Sequence, residues 1–296
     1  MASVEANGLL FEVDLAGPAD GPVVLLVMGL GMQMTAWPAT LLAALQKGGF
    51  RTLIFDQRDT GLSSKIDAAG RPNIIWASIK QRLGMTVRAP YRIADMAADA
   101  VAIANALGIE RYHLVGASMG GMIGQHLAAA APKGLQSLCL VMSTSGAPGL
   151  PAARRDVMRV MMERMPSDAD EDALVARYVR IFKVIGSPAF PTPDAVLESR
   201  ARLTVRRNSS PDGTLRHMLA IMVDGDRSAL LEKIAVATLV VHGVADPLLP
   251  LACGEDLAKK IAASRLLTIP GMGHDFPDAL MPMLAERLIE HFNAVA

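Results

Sequence analysis

Five residues near the middle of the chain, Gly116-Ala117-Ser118-Met119-Gly120, restrict its folding options more than any other segment. They form a Gly-x-Ser-x-Gly pentapeptide, preceded by the apolar run Tyr112 to Val115 and followed by the small-residue helical stretch Met119 to Ala131. A serine between two glycines at a strand-to-helix junction describes a turn too tight for side chains at its flanks. Such a turn lifts the serine hydroxyl above the end of the strand. Alone, the match is weak, because at glycine and serine frequencies of about 7% each a chain this long yields roughly 0.1 such matches by chance. Two later segments strengthen it. Val244-Ala245-Asp246-Pro247 follows the apolar run Thr238 to Val241, and Gly271-Met272-Gly273-His274 follows the run Ser264 to Ile269. Serine, aspartate and histidine thus stand in that order, each just past a predicted strand.

Strand-length apolar runs occur at Leu9–Leu15, Val23–Met28, Thr52–Phe55, Tyr112–Val115, Leu138–Met142, Thr238–Val241 and Arg265–Ile269. Most are continuous rather than alternating, as in strands covered on both faces. Helical patterns lie between them at Ala39–Gln46, Ile93–Leu107, Met119–Ala131, Cys253–Ile261 and Met281–Phe292. The alternation predicts an α/β fold with a mostly parallel sheet and helices on both faces. The first two strands read as an antiparallel edge ribbon joined through Gly17 to Pro22.

Two segments break the alternation. From Gly146 to Ile234 no strand pattern appears. Instead there is a methionine stripe (Met158, Met161, Met162, Met165), a second stripe (Leu174, Tyr178, Ile181, Phe182, Ile185), and Thr192-Pro193 as a helix start. This predicts a helical cap over residues 146–234 on a core of residues 1–145 and 235–296. Residues 65–90 form a second lid element, in which Asn73 caps a short helix with Ile75, Ile79 and Leu83 on one face.

Lys+Arg and Asp+Glu both number 29, so no net field draws the chain to nucleic acid or a membrane surface. Cys139 and Cys253 fit neither a disulfide framework nor a metal site and read as reduced core thiols. Gly21 to Gln46 carries no charge, but Gly29, Gly31, Gln33, Thr35, Trp37 and Pro38 divide it into a strand, a loop and a helix. With no signal peptide at Met1-Ala2-Ser3-Val4-Glu5, the expectation is a soluble cytoplasmic protein.

A serine hydroxyl needs a base within hydrogen-bond reach. Of six histidines only His274 sits in a glycine-rich loop after the last strand, whereas His242 reads as a packed neighbour of the site. Asp246 is the acceptor that fixes the tautomer of that base. The oxyanion of an acyl-transfer intermediate needs two preorganised N–H donors. Met119, after the serine, offers one, and Leu30, in the loop after Val23–Met28, offers the other. Charges in Asp56-Gln57-Arg58-Asp59 read as loop-fixing ion pairs, and Asp95 and Asp99 as solvated helix charges. No metal-ligand spacing occurs, so neither metal nor cofactor is expected.

The chain resembles the α/β-hydrolase superfamily, in particular small bacterial esterases related to aclacinomycin methylesterase. The likeness rests on Val27-Met28-Gly29, Asp56-Gln57-Arg58-Asp59-Thr60-Gly61-Leu62-Ser63, the serine pentapeptide, and Ile269-Pro270-Gly271-Met272-Gly273-His274. It implies a cap after the sixth main strand, a Ser118–Asp246–His274 triad, and an oxyanion hole from Leu30 and Met119. Where many relatives have His-Gly, this chain has Met28-Gly29. Serine at the turn speaks against dehalogenases and epoxide hydrolases, which place aspartate there. Met28, Met32 and Trp37 near the oxyanion loop, and Met272 before the base, read as walls of an apolar pocket for an uncharged ester or lactone. Peracid formation, C–C bond hydrolysis and a non-catalytic ligand receptor on the same scaffold stay open, as does the oligomeric state.

Overall fold

Valine and leucine runs without a polar side chain are stable only where both faces of a strand are covered. In this protein they form the interior of one eight-stranded sheet. The computed structural model describes residues 1–163 and 170–295. Its strands are β1 (Ala2–Ala6), β2 (Leu9–Ala16), β3 (Val23–Val27), β4 (Arg51–Phe55), β5 (Tyr112–Ala117), β6 (Leu135–Val141), β7 (Thr238–Gly243) and β8 (Ser264–Ile269). They are ordered β1-β2-β4-β3-β5-β6-β7-β8. Only the β1–β2 and β2–β4 pairs are antiparallel.

The first helices are α1 (Ala39–Lys47), α2 (Ile74–Arg82), α3 (Ile93–Ala106) and α4 (Met119–Ala129). After β6 come α5 (Arg155–Met161), α6 (Glu171–Ile185), α7 (Asp194–Asn208), α8 (Pro211–Asp224) and α9 (Ser228–Leu231). The chain then returns to β7 and ends with α10 (Leu251–Lys260) and α11 (Met281–Asn293). Alternate residues of β3 point to opposite layers. Leu25 and Val27 join the core beneath α3, α4 and α10, whereas Val24 and Leu26 join the core beneath α1 and α11. This is the α/β-hydrolase fold, with a helical cap inserted after β6.

Several local expectations change. The edge ribbon is β1 with β2, turned by Asn7 and Gly8 at φ 49° and 71°, the left-handed pair that a two-residue hairpin requires. β3 has five buried residues and lies between β4 and β5. Gly17–Pro22 is therefore a passage into the sheet and not a hairpin. α2 begins as expected, with Asn73 Oδ1 accepting the Trp76 N–H at 2.9 Å. It buries Ile74 and Ala77 against Leu219 of α8, which leaves Ile75, Ile79 and Leu83 exposed. α7 starts one residue late, with extended Pro193 as its cap. Met165 lies outside the described residues. Asp99 is not solvated: it is 2% exposed and takes two 2.7 Å hydrogen bonds from Arg58 and one of 3.0 Å from Asn7 at the hairpin turn. Asp95 accepts the Arg92 N–H at the start of α3.

The charges after β4 hold the cap to the sheet. Arg216 of α8, buried, donates to both oxygens of Asp59 at 2.8 and 2.7 Å. The Ile66 N–H and Tyr91 hydroxyl donate to the same carboxylate. Arg207 of α7 donates to Asp56, whose other oxygen takes the Met34 N–H at 2.8 Å. Burial opposes ionisation of Asp59, but Arg216, Ile66 and Tyr91 outweigh it and hold the carboxyl below its ordinary range. Its contribution to stability is thus present above about pH 4, the unfolded value, and disappears as acid titrates it through its lower folded value. Arg216→Met removes the charge and leaves a buried carboxylate unpaired, which costs about 3–5 kcal/mol. Urea denaturation at pH 7 measures the loss; a change below about 1 kcal/mol would contradict this role for the pair.

Candidate active site

Ser118 sits between the last residue of β5 and the first of α4, with φ 53° and ψ −115°. Left-handed backbone at a residue other than glycine is strained, and the packing around it has to hold it there. Both flanking glycines are required. A Cβ on Gly116 would strike the Gly120 carbonyl, and a Cβ on Gly120 would strike the Val27 carbonyl at the end of β3. The Ser118 N–H donates to Val141 O of β6 at 2.9 Å, and its carbonyl accepts the Ser143 hydroxyl at 2.8 Å. Two neighbouring strands and one helix start therefore hold one hydroxyl at the carboxyl edge of the sheet.

Asp246 follows β7. Its Oδ1 accepts the N–H groups of Leu248 and Leu249 at 2.9 and 2.8 Å, which turns Oδ2 toward the next loop. There His274 Nδ1 lies 2.7 Å from Oδ2, and His274 Nε2 lies 3.0 Å from Ser118 Oγ. A carboxylate only accepts, so the Nδ1 proton faces Asp246 and the Nε2 lone pair is left to receive the serine proton. The His274 N–H donates to Ile185 O at 2.7 Å, and Gly273 N–H to Ser187 Oγ at 2.9 Å. A Cβ on Gly273 would meet the Ile185 and Gly186 carbonyls, so glycine is required where the cap crosses this loop. His242, buried under the acid loop, donates from Nε2 to Leu249 O at 2.7 Å, and burial lowers its pKa.

The backbone N–H groups of Leu30 and Met119 donate to no acceptor among the described residues. The Leu30 loop stands close to the serine, since a Cβ on Gly29 would lie 3.3 Å from Ser118 Cβ. Gln57 Nε2 donates to Met28 O at 2.6 Å and supplies polar support at the Met-Gly position. Among the described residues no three His, Cys, Asp or Glu side chains are grouped as metal ligands.

Three of the four residues expected to wall a pocket are buried. Met28, Trp37 and Met272 pack into the core shared with α1 and α11, and Met272 has no accessible surface. Trp37 stacks obliquely on Phe276, with ring centroids 5.3 Å apart. Met32 alone of the four is partly exposed, its sulfur 3.9 Å from the Tyr178 hydroxyl of α6. A cavity of about 340 Å³ lies where the cap meets the acid and histidine loops, bounded by Phe182, Pro188, Leu197, Pro247, Lys183 and Asp275. Its charged members come from the cap and from the residue after the base, none of them singled out in the sequence. Burial raises the Asp275 pKa, against a hydrogen bond from Ser187.

The sequence profile described as alpha/beta hydrolase fold matches residues 22–278. Rhodomycin D methylesterase DnrP of Streptomyces peucetius is 27% identical over 96% of this chain and 95% of its own length. Among solved structures, a meta-cleavage product hydrolase from Pseudomonas fluorescens superposes with a TM-score of 0.76 at 17% identity, covering 100% of this chain and 98% of its own. The enol-lactonase from Burkholderia xenovorans reaches 0.73 at 20% identity, covering 99% of this chain and 100% of its own. At those identities the structural likeness speaks for the fold. With the profile spanning most of its length, the chain belongs to the α/β-hydrolase fold family.

Proposed function

We propose that this hydrolase cleaves small, uncharged carboxylic esters or lactones through a covalent acyl-enzyme, with Ser118 as nucleophile, His274 as general base and acid, and Asp246 as its orienting carboxylate. The observation that carries this reading is the unbroken chain of hydrogen bonds from Ser118 Oγ through His274 to Asp246 Oδ2, at 3.0 and 2.7 Å. Ser118 Oγ attacks the carbonyl carbon as its proton passes to His274 Nε2. The N–H groups of Leu30 and Met119 receive the negative oxygen. Collapse expels the alkoxide with the proton held by His274, and water then repeats the sequence on the acyl-serine.

The methylesterase relative, aligned over nearly the full length of both chains, supports a carboxylic ester as the substrate class. Residues 1–145 and 235–296 serve as the catalytic core, 146–234 as the cap and 65–90 as an added lid. Met32 contributes to the pocket wall. No helix among the described residues is long and apolar enough to cross a membrane. The two unpaired, buried cysteines favour a reducing compartment such as the cytoplasm.

Ser118→Ala is expected to lower kcat toward a 4-nitrophenyl ester by about 10³-fold or more with an unchanged unfolding midpoint. Retention of a tenth of wild-type kcat in purified enzyme would contradict the nucleophile assignment. Asp246→Asn should reduce kcat by a large factor while KM stays within about threefold, since the group acts on His274 and not on bound ester. Only neutral imidazole accepts the serine proton, so kcat/KM should fall as the solution is made acid. A rate that stays flat into the acid range while the protein remains folded excludes a histidine base.

A further inference from the structure

We propose that His217, a residue of the cap, is a positioning residue for the oxyanion hole: it accepts the Gly31 N–H and so anchors the turn that carries the Leu30 donor. The proposal rests on the assignment of Ser118 and Leu30 above and adds a catalytic role for the cap.

The oxyanion loop is a turn in which Gly29 O accepts the Met32 N–H at 3.2 Å, with Gly31 at φ 63°. Left-handed backbone at the third residue marks the turn form whose central peptide is flipped relative to the commoner one, and glycine is favoured there for that reason. The position of this turn, and of the Leu30 N–H that it carries, therefore depends on what holds it from outside. His217 Nδ1 lies 3.3 Å from the Gly31 nitrogen, and its Nε2 lies 2.9 Å from Arg58 O. A backbone N–H only donates and a carbonyl only accepts, so the ring carries its proton on Nε2 and presents a lone pair at Nδ1. That lone pair holds the Gly31 N–H, and with it the turn on which the Leu30 donor sits.

The rest of the cap reinforces the arrangement. Thr214, one helical turn before His217, lies so close to Gly31 that a Cβ there would collide with its side chain. Gln33, at the end of the loop, donates to Thr204 O and Asn208 O of α7 at 2.8 and 2.6 Å. Tyr91 packs edge-on against the imidazole, at 6.1 Å between centroids. His217 has no exposed surface, and burial lowers its pKa to about 4, which keeps the Nδ1 lone pair available at neutral pH. A buried histidine on a helix needs hydrogen-bond partners wherever it sits. Here both partners lie on the loops that frame the serine, over 150 residues away in the chain.

The test separates the two ring nitrogens. In His217→Asn the amide oxygen takes the place of Nδ1 and the Arg58 contact is lost. In His217→Gln the terminal NH2 takes the place of Nε2 and the Gly31 acceptor is lost. The proposal predicts that the Gln variant loses about 10–30-fold in kcat with KM within threefold, because a misaimed oxyanion donor acts on the transition state. It predicts that the Asn variant keeps at least a third of wild-type kcat. Phenylboronic acid, whose serine adduct carries a tetrahedral oxyanion, should bind the Gln variant about tenfold more weakly and the Asn variant as wild type does. A purely packing role predicts the reverse order, since asparagine leaves the larger hole. Equal loss in both variants, or a Gln variant within twofold of wild-type kcat, overturns the proposal. Loss of activity in Ser118→Ala shows separately that the serine mechanism stands. If His217→Gln does not fold, His217→Ala is assayed with and without added imidazole: at least threefold recovery of kcat supports the proposal, and no recovery overturns it.

Discussion

The strained turn at Ser118 is the constraint around which the rest of the molecule is arranged. A residue at φ 53° persists only where its surroundings leave no alternative, and here they leave none. The turn is closed from below by the Val27 carbonyl, which excludes any side chain at Gly120, and from the side by the hydrogen bond to Val141 O. Both groups belong to strands adjacent to β5. The order of the central strands thus fixes where the hydroxyl emerges, and the loops after β7 and β8 need only reach it. They do so through backbone geometry: an aspartate turn aims Asp246, and glycine at 273 lets the histidine loop pass under the cap.

The cap completes the site as well as covering it. Arg207 and Arg216 neutralise the carboxylates of Asp56 and Asp59, in the loop beside the oxyanion loop. Ile185 O and Ser187 Oγ accept the backbone N–H groups of His274 and Gly273. His217 and the helix-end carbonyls of α7 bond the oxyanion loop itself. Groups this buried cannot part from their partners without heavy desolvation losses, so the cap and sheet act as one unit at the level of the reacting atoms.

What the amino-acid sequence discloses follows the range of the interactions involved. Ser118, Asp246 and His274 are legible because each stands where a buried strand runs into a glycine- or proline-marked turn, a local pattern. The parallel interior is legible for the same reason, from runs such as Val23–Val27. The cap's anchoring is not. Arg207, Arg216 and His217 are ordinary residues of helices, and their partners lie more than 150 positions earlier in the chain. Asp99, on a helix made mostly of alanine and other apolar residues, gives no local sign of its buried pairing with Arg58. Nor does proximity to a motif disclose burial: Met272 adjoins the histidine loop, and its side chain is wholly buried in the core that α11 helps to form. Sequence distance from His274 says nothing of the direction in which a neighbour points. Likewise the Ile75, Ile79 and Leu83 stripe defined a helix correctly but not the side on which α2 would rest.

The central claim is that Ser118 becomes covalently bonded to substrate. Intact-mass measurement after treatment with a fluorophosphonate tests it most directly, because only a serine activated by His274 reacts at a useful rate. The account predicts a single adduct per chain, located by peptide mapping on Ser118, and none in Ser118→Ala or His274→Ala. Stoichiometric labelling of another residue, or an unlabelled wild-type protein that still hydrolyses esters, would contradict it.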